Sequence, residues 1–251
     1  MSSFDAARAL LPGALQALGL SLSAHAQERM LQHLALIAKW NRVHNLTAVR
    51  DPDEMFTHHL LDSLAAVGPL VRYWRRASGA LDPVGPPGPL QLLDVGSGAG
   101  LPGLALGIAL PEILGHGVDH EAPVRVTCVD AVAKKAGFIR QAAAELGLGH
   151  VQALHGRVEA LSLSGMDVIT CRAFARLADT VHLTRRHLAD RGVWMALKGM
   201  VPHDEIAELP SDVEVFHVEP LRVPHLDAQR CLVWMRPRLL ILSSSRPFVH
   251  S

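Results

Sequence analysis

Aromatic residues are scarce in this 251-residue chain, at 4%, and neither sign of charge prevails: 24 Lys and Arg stand against 24 Asp and Glu. A zero balance gives no global signal for nucleic acid or membrane, although a local basic face remains compatible with it. Cysteine is also sparse. Cys128, Cys171 and Cys231 are far apart and odd in number, with no CxxC pair. That excludes a disulfide framework and points to a reducing, cytoplasmic setting with the thiols as small core residues. No apolar run approaches the roughly 18–20 residues of a membrane helix, so no membrane association is expected. The opening "MSSFDAARALL" lacks the basic start and cleavage site of a signal peptide. Many histidines are present, 15 in all, but no metal site is expected, and "THHL" reads as a polar helix face.

What the chain does have is apolar mass, 49% of its residues, enough for a sizeable core. Residues 1–77 read as a helical extension. Helical patterns cover 5–19 and 24–42, and a third begins at Asp51 as cap with Pro52 in the first helical position and Glu54 near the third. Phe56, Leu60, Leu64 and Val67 supply its buried stripe. The Pro/Gly segment 78–89 is a linker. From 90 to 238 short apolar runs alternate with helical patterns. Strands are expected at 90–95, 124–129, 151–155, 166–171 and 192–197, with helices at 101–110, 132–147 and 175–190. That alternation predicts a doubly wound, mostly parallel α/β sheet. The runs 213–218 and 231–236 fit an antiparallel pair at its edge, 111–123 a long polar connection, and 239–251 a loose tail.

The stretch "LLDVGSGAGLPG", 92–103, sits where such a sheet binds ligands, beyond the carboxyl end of a strand. Gly96 and Gly98 permit a sharp turn and leave no side chain between backbone and ligand. The following helix is expected to offer free N–H groups. A dinucleotide site wants GxGxxG, but the third position here is Leu101 and the glycine comes one residue early, at Gly100. The GxGxG form, with Asp94 two places before the first glycine, suits S-adenosylmethionine. Asp130 ends the second strand, where a carboxylate can accept from both ribose hydroxyls; it can equally cap the next helix. In "GRVEAL", Val158 could cover the adenine face, with Glu159 beside it. Arg172, ending the fourth strand, should meet a carboxylate, a phosphate or a base, because an unpaired buried cation is costly.

The blocks "KWNRVHNLT", "VRDPDEMFTHHLLDSL", "LLDVGSGAGLPG", "GRVEAL", "CRAFARL" and "ALKG" occur in this order, from about residue 20 to about 238. Together they resemble the bacterial glucose-inhibited division protein B family, S-adenosylmethionine-dependent methyltransferases that make 7-methylguanosine in small-subunit (16S) ribosomal RNA. The resemblance implies the Rossmann-like methyltransferase fold with an N-terminal helical extension. It implies donor contacts from Gly96, Leu101, Val158, Glu159 and Arg172, and matches Asp130 to the ribose-binding acid of the wider class. Lys198 and Arg230 match basic positions that could meet RNA. Ala99 stands where relatives often have proline, Cys231 where histidine is common, and the segments 78–89 and 111–123 are longer than expected.

Guanine N7 carries a free lone pair, so no proton must leave before attack and no general base is required. Alignment and electrostatics suffice. Arg172 is expected to hold the donor carboxylate, an RNA phosphate or the guanine carbonyl, with Lys198 a second positioning candidate. Further RNA-contact candidates are Arg42, Arg50, Arg72, Arg75, Arg76, Lys134, Lys135 and Arg157, with Trp40, Tyr73 and Trp74 as possible base platforms. The expected partner is small-subunit RNA or the assembling subunit, and nothing in the sequence demands more than a monomer. Three other readings share the fold: a nicotinamide oxidoreductase, a methyltransferase of a small molecule or protein, and a non-catalytic RNA- or ribosome-binding module.

Overall fold

A computed structural model describes residues 4–77, 88–115 and 123–238. The tail 239–251, most of the 78–89 linker and residues 116–122 lie outside those described. Seven strands form one sheet in the order β3-β2-β1-β4-β5-β7-β6. They are β1 Leu90–Val95, β2 Val124–Asp130, β3 Val151–His155, β4 Met166–Arg172, β5 Leu188–Lys198, β6 Val213–Leu221 and β7 Arg230–Pro237. The first five pair in parallel, and β7 pairs antiparallel with both β5 and β6. The strand order reverses between β1 and β4, which places the switch point, and the ligand-binding crevice of such sheets, at the ends of those two strands.

Nine α-helical pieces surround the described sheet: α1 Asp5–Ala17, α2 Ala24–His44, α3 Pro52–Glu54, α4 Asp62–Leu64, α5 Val67–Ala77, α6 Gly103–Leu114, α7 Ala133–Glu145, α8 Leu177–Thr184 and α9 His203–Ala207. Helices α1, α2, α4 and α5 share one buried core with α6, α7 and one face of the sheet, through Leu11, Met30, Leu64, Leu70, Leu104, Val126 and Phe138 among others. The opposite face packs on α8 through Leu177, Val181 and Trp194. The helical extension is thus built into one wall of the sheet.

Local chemistry sets the boundaries. Asp51 caps α3 by accepting from the amides of Asp53 and Glu54, as its position before Pro52 predicts. The chain then winds as a π-helix over Met55–Leu61 before α4, a feature the sequence pattern does not announce. Helix α6 runs past Pro111 to Leu114, four residues beyond the expected end. A proline frees the carbonyl four residues earlier; here that carbonyl, on Gly107, is satisfied by the His150 ring at 2.8 Å. Helix α8 ends at Thr184, and β5 begins at Leu188 through a register shift between Met166 and Val168 of its neighbour, so the expected helix over 175–190 is shorter and the strand longer. Trp40 packs on Phe138 with centroids 5.4 Å apart, and Tyr73 on Trp234 at 5.0 Å. Both are packing residues rather than open platforms for a base.

Candidate functional site

The loop 96–102 begins where β1 ends, and Asp94 lies beneath it, fully buried. Asp94 Oδ2 accepts from the Gly103 amide at 2.9 Å, and its backbone carbonyl accepts from Ser97 Oγ. Burial pushes the Asp94 carboxyl up to about 6, against the Gly103 amide and the charge of Arg172. A Cβ on Gly103 would stand 2.5 Å from Cys128 Sγ and 2.7 Å from Asp94 Oδ2. Close packing of helix on strand therefore falls to Gly103, not to the Leu101 position where a dinucleotide loop keeps its third glycine.

Five of the loop amides are already used. Gly96 and Ser97 donate to the Val129 carbonyl, Gly98 to Asp130 Oδ2, and Gly100 and Leu101 to the Ser97 carbonyl. The expectation that α6 offers free N–H groups is corrected: its first amide is bound to Asp94, a built-in anion. This donor set does not fit a pyrophosphate, which needs those amides. It does fit a ligand that brings no phosphate to the loop. Gly98 completes the cradle: it has φ +57°, and a Cβ there would meet nothing closer than 3.9 Å. The space beside it is open.

That space belongs to a cleft of about 500 Å³ lined by Gly96, Gly98, Leu101, Arg172, Lys198 and Arg230, with Leu46, Thr47, His58, His59 and Asp62 from the helical extension. Six sequence-predicted residues thus meet at one place. Asp130 lies beside it, its Oδ2 holding Gly98 and its Oδ1 accepting from Val132 N at 2.8 Å; Val132 is itself the cap position of α7 and no side chain caps that helix, so the expected capping role of Asp130 is corrected to a turn-and-loop anchor. Val158, Glu159 and Arg157 do not line this cleft. Val158 is buried in the second core, while Arg157 Nε donates to Glu159 Oε1 at the surface. Of the other cations, Arg72 pairs with Glu219 and Arg75 donates to the Ile113 carbonyl.

The electrostatics turn on a residue that no sequence motif singles out. Asp62, 4% exposed, accepts from Arg172 Nη1 through Oδ2 and from Arg230 Nε through Oδ1, both at 2.8 Å. Arg172 Nη1 also reaches the His58 carbonyl at 3.1 Å. The available signal was an acid set among Leu60, Leu61 and Leu64, all buried. Lys198 donates to Glu205 at 2.7 Å and to the Ala175 carbonyl at 3.2 Å, so its charge is matched locally. His59 bonds Thr47 Oγ1 at 2.8 Å; burial, then the charge of Arg172, hold it down to about 4. His33 bonds the Ala99 carbonyl at 2.9 Å and burial lowers it to about 4, so α2 clasps the glycine loop with a neutral ring. Among the described residues no group of three or more His, Cys, Asp or Glu could hold a metal, and no helix is long and apolar enough to cross a membrane.

Comparison with known proteins gives this geometry a family. A variant of MtNAS solved in complex with S-adenosylmethionine superposes with a TM-score of 0.51 at 14% identity, covering 95% of this chain and 80% of that one, which supports the fold alone. The ribosomal RNA small subunit methyltransferase G of Methylibium petroleiphilum is 58% identical over 94% of this chain and 97% of its own length. That of an Acidovorax species is 55% identical over 94% and 96%. The family model GidB, rRNA small subunit methyltransferase G, matches residues 26–233, and the chain belongs to that family.

Proposed function

We propose that this chain moves the methyl group of S-adenosylmethionine to N7 of a guanine in small-subunit ribosomal RNA. The observation that carries the reading is a glycine loop whose amides are largely spent on the Val129 carbonyl, Asp130 and the loop's own Ser97 carbonyl, with Asp94 taking the first amide of α6, opening at Gly98 onto a cationic cleft. Such a loop accommodates a nucleoside without phosphate, and membership of the rRNA small subunit methyltransferase G family names the acceptor class.

Bound S-adenosylmethionine would supply an activated methyl group on a sulfonium. Gly96, Gly98 and Leu101 form the floor of the cleft against which the donor would lie. Asp130 retains lone pairs for ribose hydroxyls while holding the loop. Arg172 and Arg230 exceed Asp62 by one positive charge, which favours an oxyanion at the cleft. No side chain needs to accept a proton, because N7 attacks through a free lone pair. Alignment of acceptor and donor is the remaining requirement. Val158 and Glu159 have their place in this reading at the adenine end, beyond β3, and Arg157 and Lys198 at the RNA path. The protein would act as a monomer in the cytoplasm, on the RNA or the assembling subunit.

The test is transfer of tritiated methyl onto small-subunit RNA from cells lacking the protein, followed by mass mapping. One 7-methylguanosine is expected. Label entering protein or small molecules, or calorimetric binding of NAD in place of S-adenosylmethionine, would overturn the reading.

A further inference from the structure

Strands β4 and β7 are not neighbours, since β5 lies between them. Arg172 and Arg230 therefore spring from strand ends two spacings apart, roughly 10 Å. Nothing in the sheet orders the two guanidinium groups relative to each other. Asp62 does so from a different layer: its two carboxylate oxygens each take one arginine at 2.8 Å, across the end of β5. The π-helical turn before it adds the His58 carbonyl, and Ser63 Oγ, 3.3 Å from Arg172 Nη1, completes the cluster. Each arginine is thereby held along one edge. Arg172 uses Nη1, and Arg230 uses Nε on Asp62 and Nη1 on the Gln229 carbonyl. Nη2 of both has no hydrogen-bond partner among the described residues, and both side chains line the cleft.

Building on the methyltransferase reading, we propose that Asp62 is a positioning residue: one carboxylate from the helical extension locks two arginines of the sheet into a paired receptor for a single oxyanion. A bridge that served stability alone would balance its charges, because buried ion pairs contribute little net and an uncompensated one costs much. This cluster carries a surplus cation and sits at the cleft. The oxyanion is either the carboxylate of the methyl donor or a phosphate of the RNA. Asp62 touches neither; it acts through the arginines.

The test uses the full chain and the variants Asp62→Glu and Asp62→Asn. Glutamate keeps the charge but displaces it by one methylene, whereas asparagine turns an N–H toward a cation. In the wild type, the Arg230 Nε–H should exchange slowly with solvent by NMR; rapid exchange would overturn the proposal whatever the variants do. Asp62→Glu should melt within a few degrees of wild type yet lose at least tenfold in kcat, and Asp62→Asn at least a hundredfold. A matching rise in the calorimetric Kd for S-adenosylmethionine assigns the oxyanion to the donor; a rise only in the KM for RNA assigns it to a phosphate. Wild-type kcat and KM values in Asp62→Glu would show a merely structural bridge. If the wild-type protein protects the arginine proton but binds neither donor nor RNA, the methyltransferase reading falls instead.

Discussion

At the scale of single residues, two glycines a few positions apart do different work, and substitution separates them. Gly98 has φ +57° and open space beside it, so Gly98→Ala costs about 1 kcal/mol of left-handed strain. The new methyl projects into space the donor would use. The expected outcome is a nearly unchanged melt and at least tenfold weaker S-adenosylmethionine binding by calorimetry. Gly103→Ala drives a Cβ to within 2.7 Å of both Cys128 and Asp94, and overpacking of this kind costs roughly 1–3 kcal/mol. Its thermal midpoint should fall clearly, with binding impaired only through loss of folded protein. Equal effects of the two on both readouts would refute this division. The glycines, Asp130 and Arg172 were legible because strand-end position gives them meaning within a short stretch of chain. Asp62 was not, because its partners lie 110 and 168 residues away and only the folded chain brings them together.

At the scale of elements, apolar alternation revealed the strands to within a few residues, including the antiparallel pair β6 and β7 at the edge. Two misread helix ends have specific causes. Pro111 reads as a stop, yet His150 takes over the carbonyl it strands, a contact across 43 residues. The end of α8 is hidden in "LTRRHLADRG", where His187, bonded to the Leu163 and Val158 carbonyls, anchors the turn that starts β5. Periodicity also gives no sign of the π-helical turn at Met55–Leu61, although the cap before it is plain. That cap supports a prediction. Asp51→Ala removes two hydrogen bonds to the first amides of α3 and should cost about 1 kcal/mol. In a chain of this size that is a drop of about 2–4 °C in Tm. Because Asp51 is exposed and Asp62 sits beyond the turn, donor affinity should stay the same; loss of both would mean that the helix start also shapes the cleft.

At the scale of the whole molecule, stability should depend on acid in a defined direction. His33 and His59 hold values near 4, below their ordinary 6.5, chiefly through burial. Between those limits the unfolded chain binds protons that the folded chain refuses, so stability falls as pH falls from about 6.5 to 4. Asp94, raised from 3.8 to about 6, works the other way and offsets one histidine over most of that window. One proton's worth of linkage is left, about 1.4 kcal/mol per pH unit. Thermal melts at pH 7 and pH 5 should differ by about 4–8 °C, the acid sample melting lower; equal midpoints would mean that these rings already carry charge in the native state. The same three groups lie at or beneath the loop and cleft, so acid strains the fold where it is meant to bind. The carboxylate shared by Arg172 and Arg230 has one more consequence. It joins a helix made early in synthesis to the last strand described, so every intermediate length of nascent chain carries an unfinished receptor. Methyl transfer is therefore an assay of completed biosynthesis: a fragment ending before β7 can form most of the sheet and still lack the partner that closes the pair.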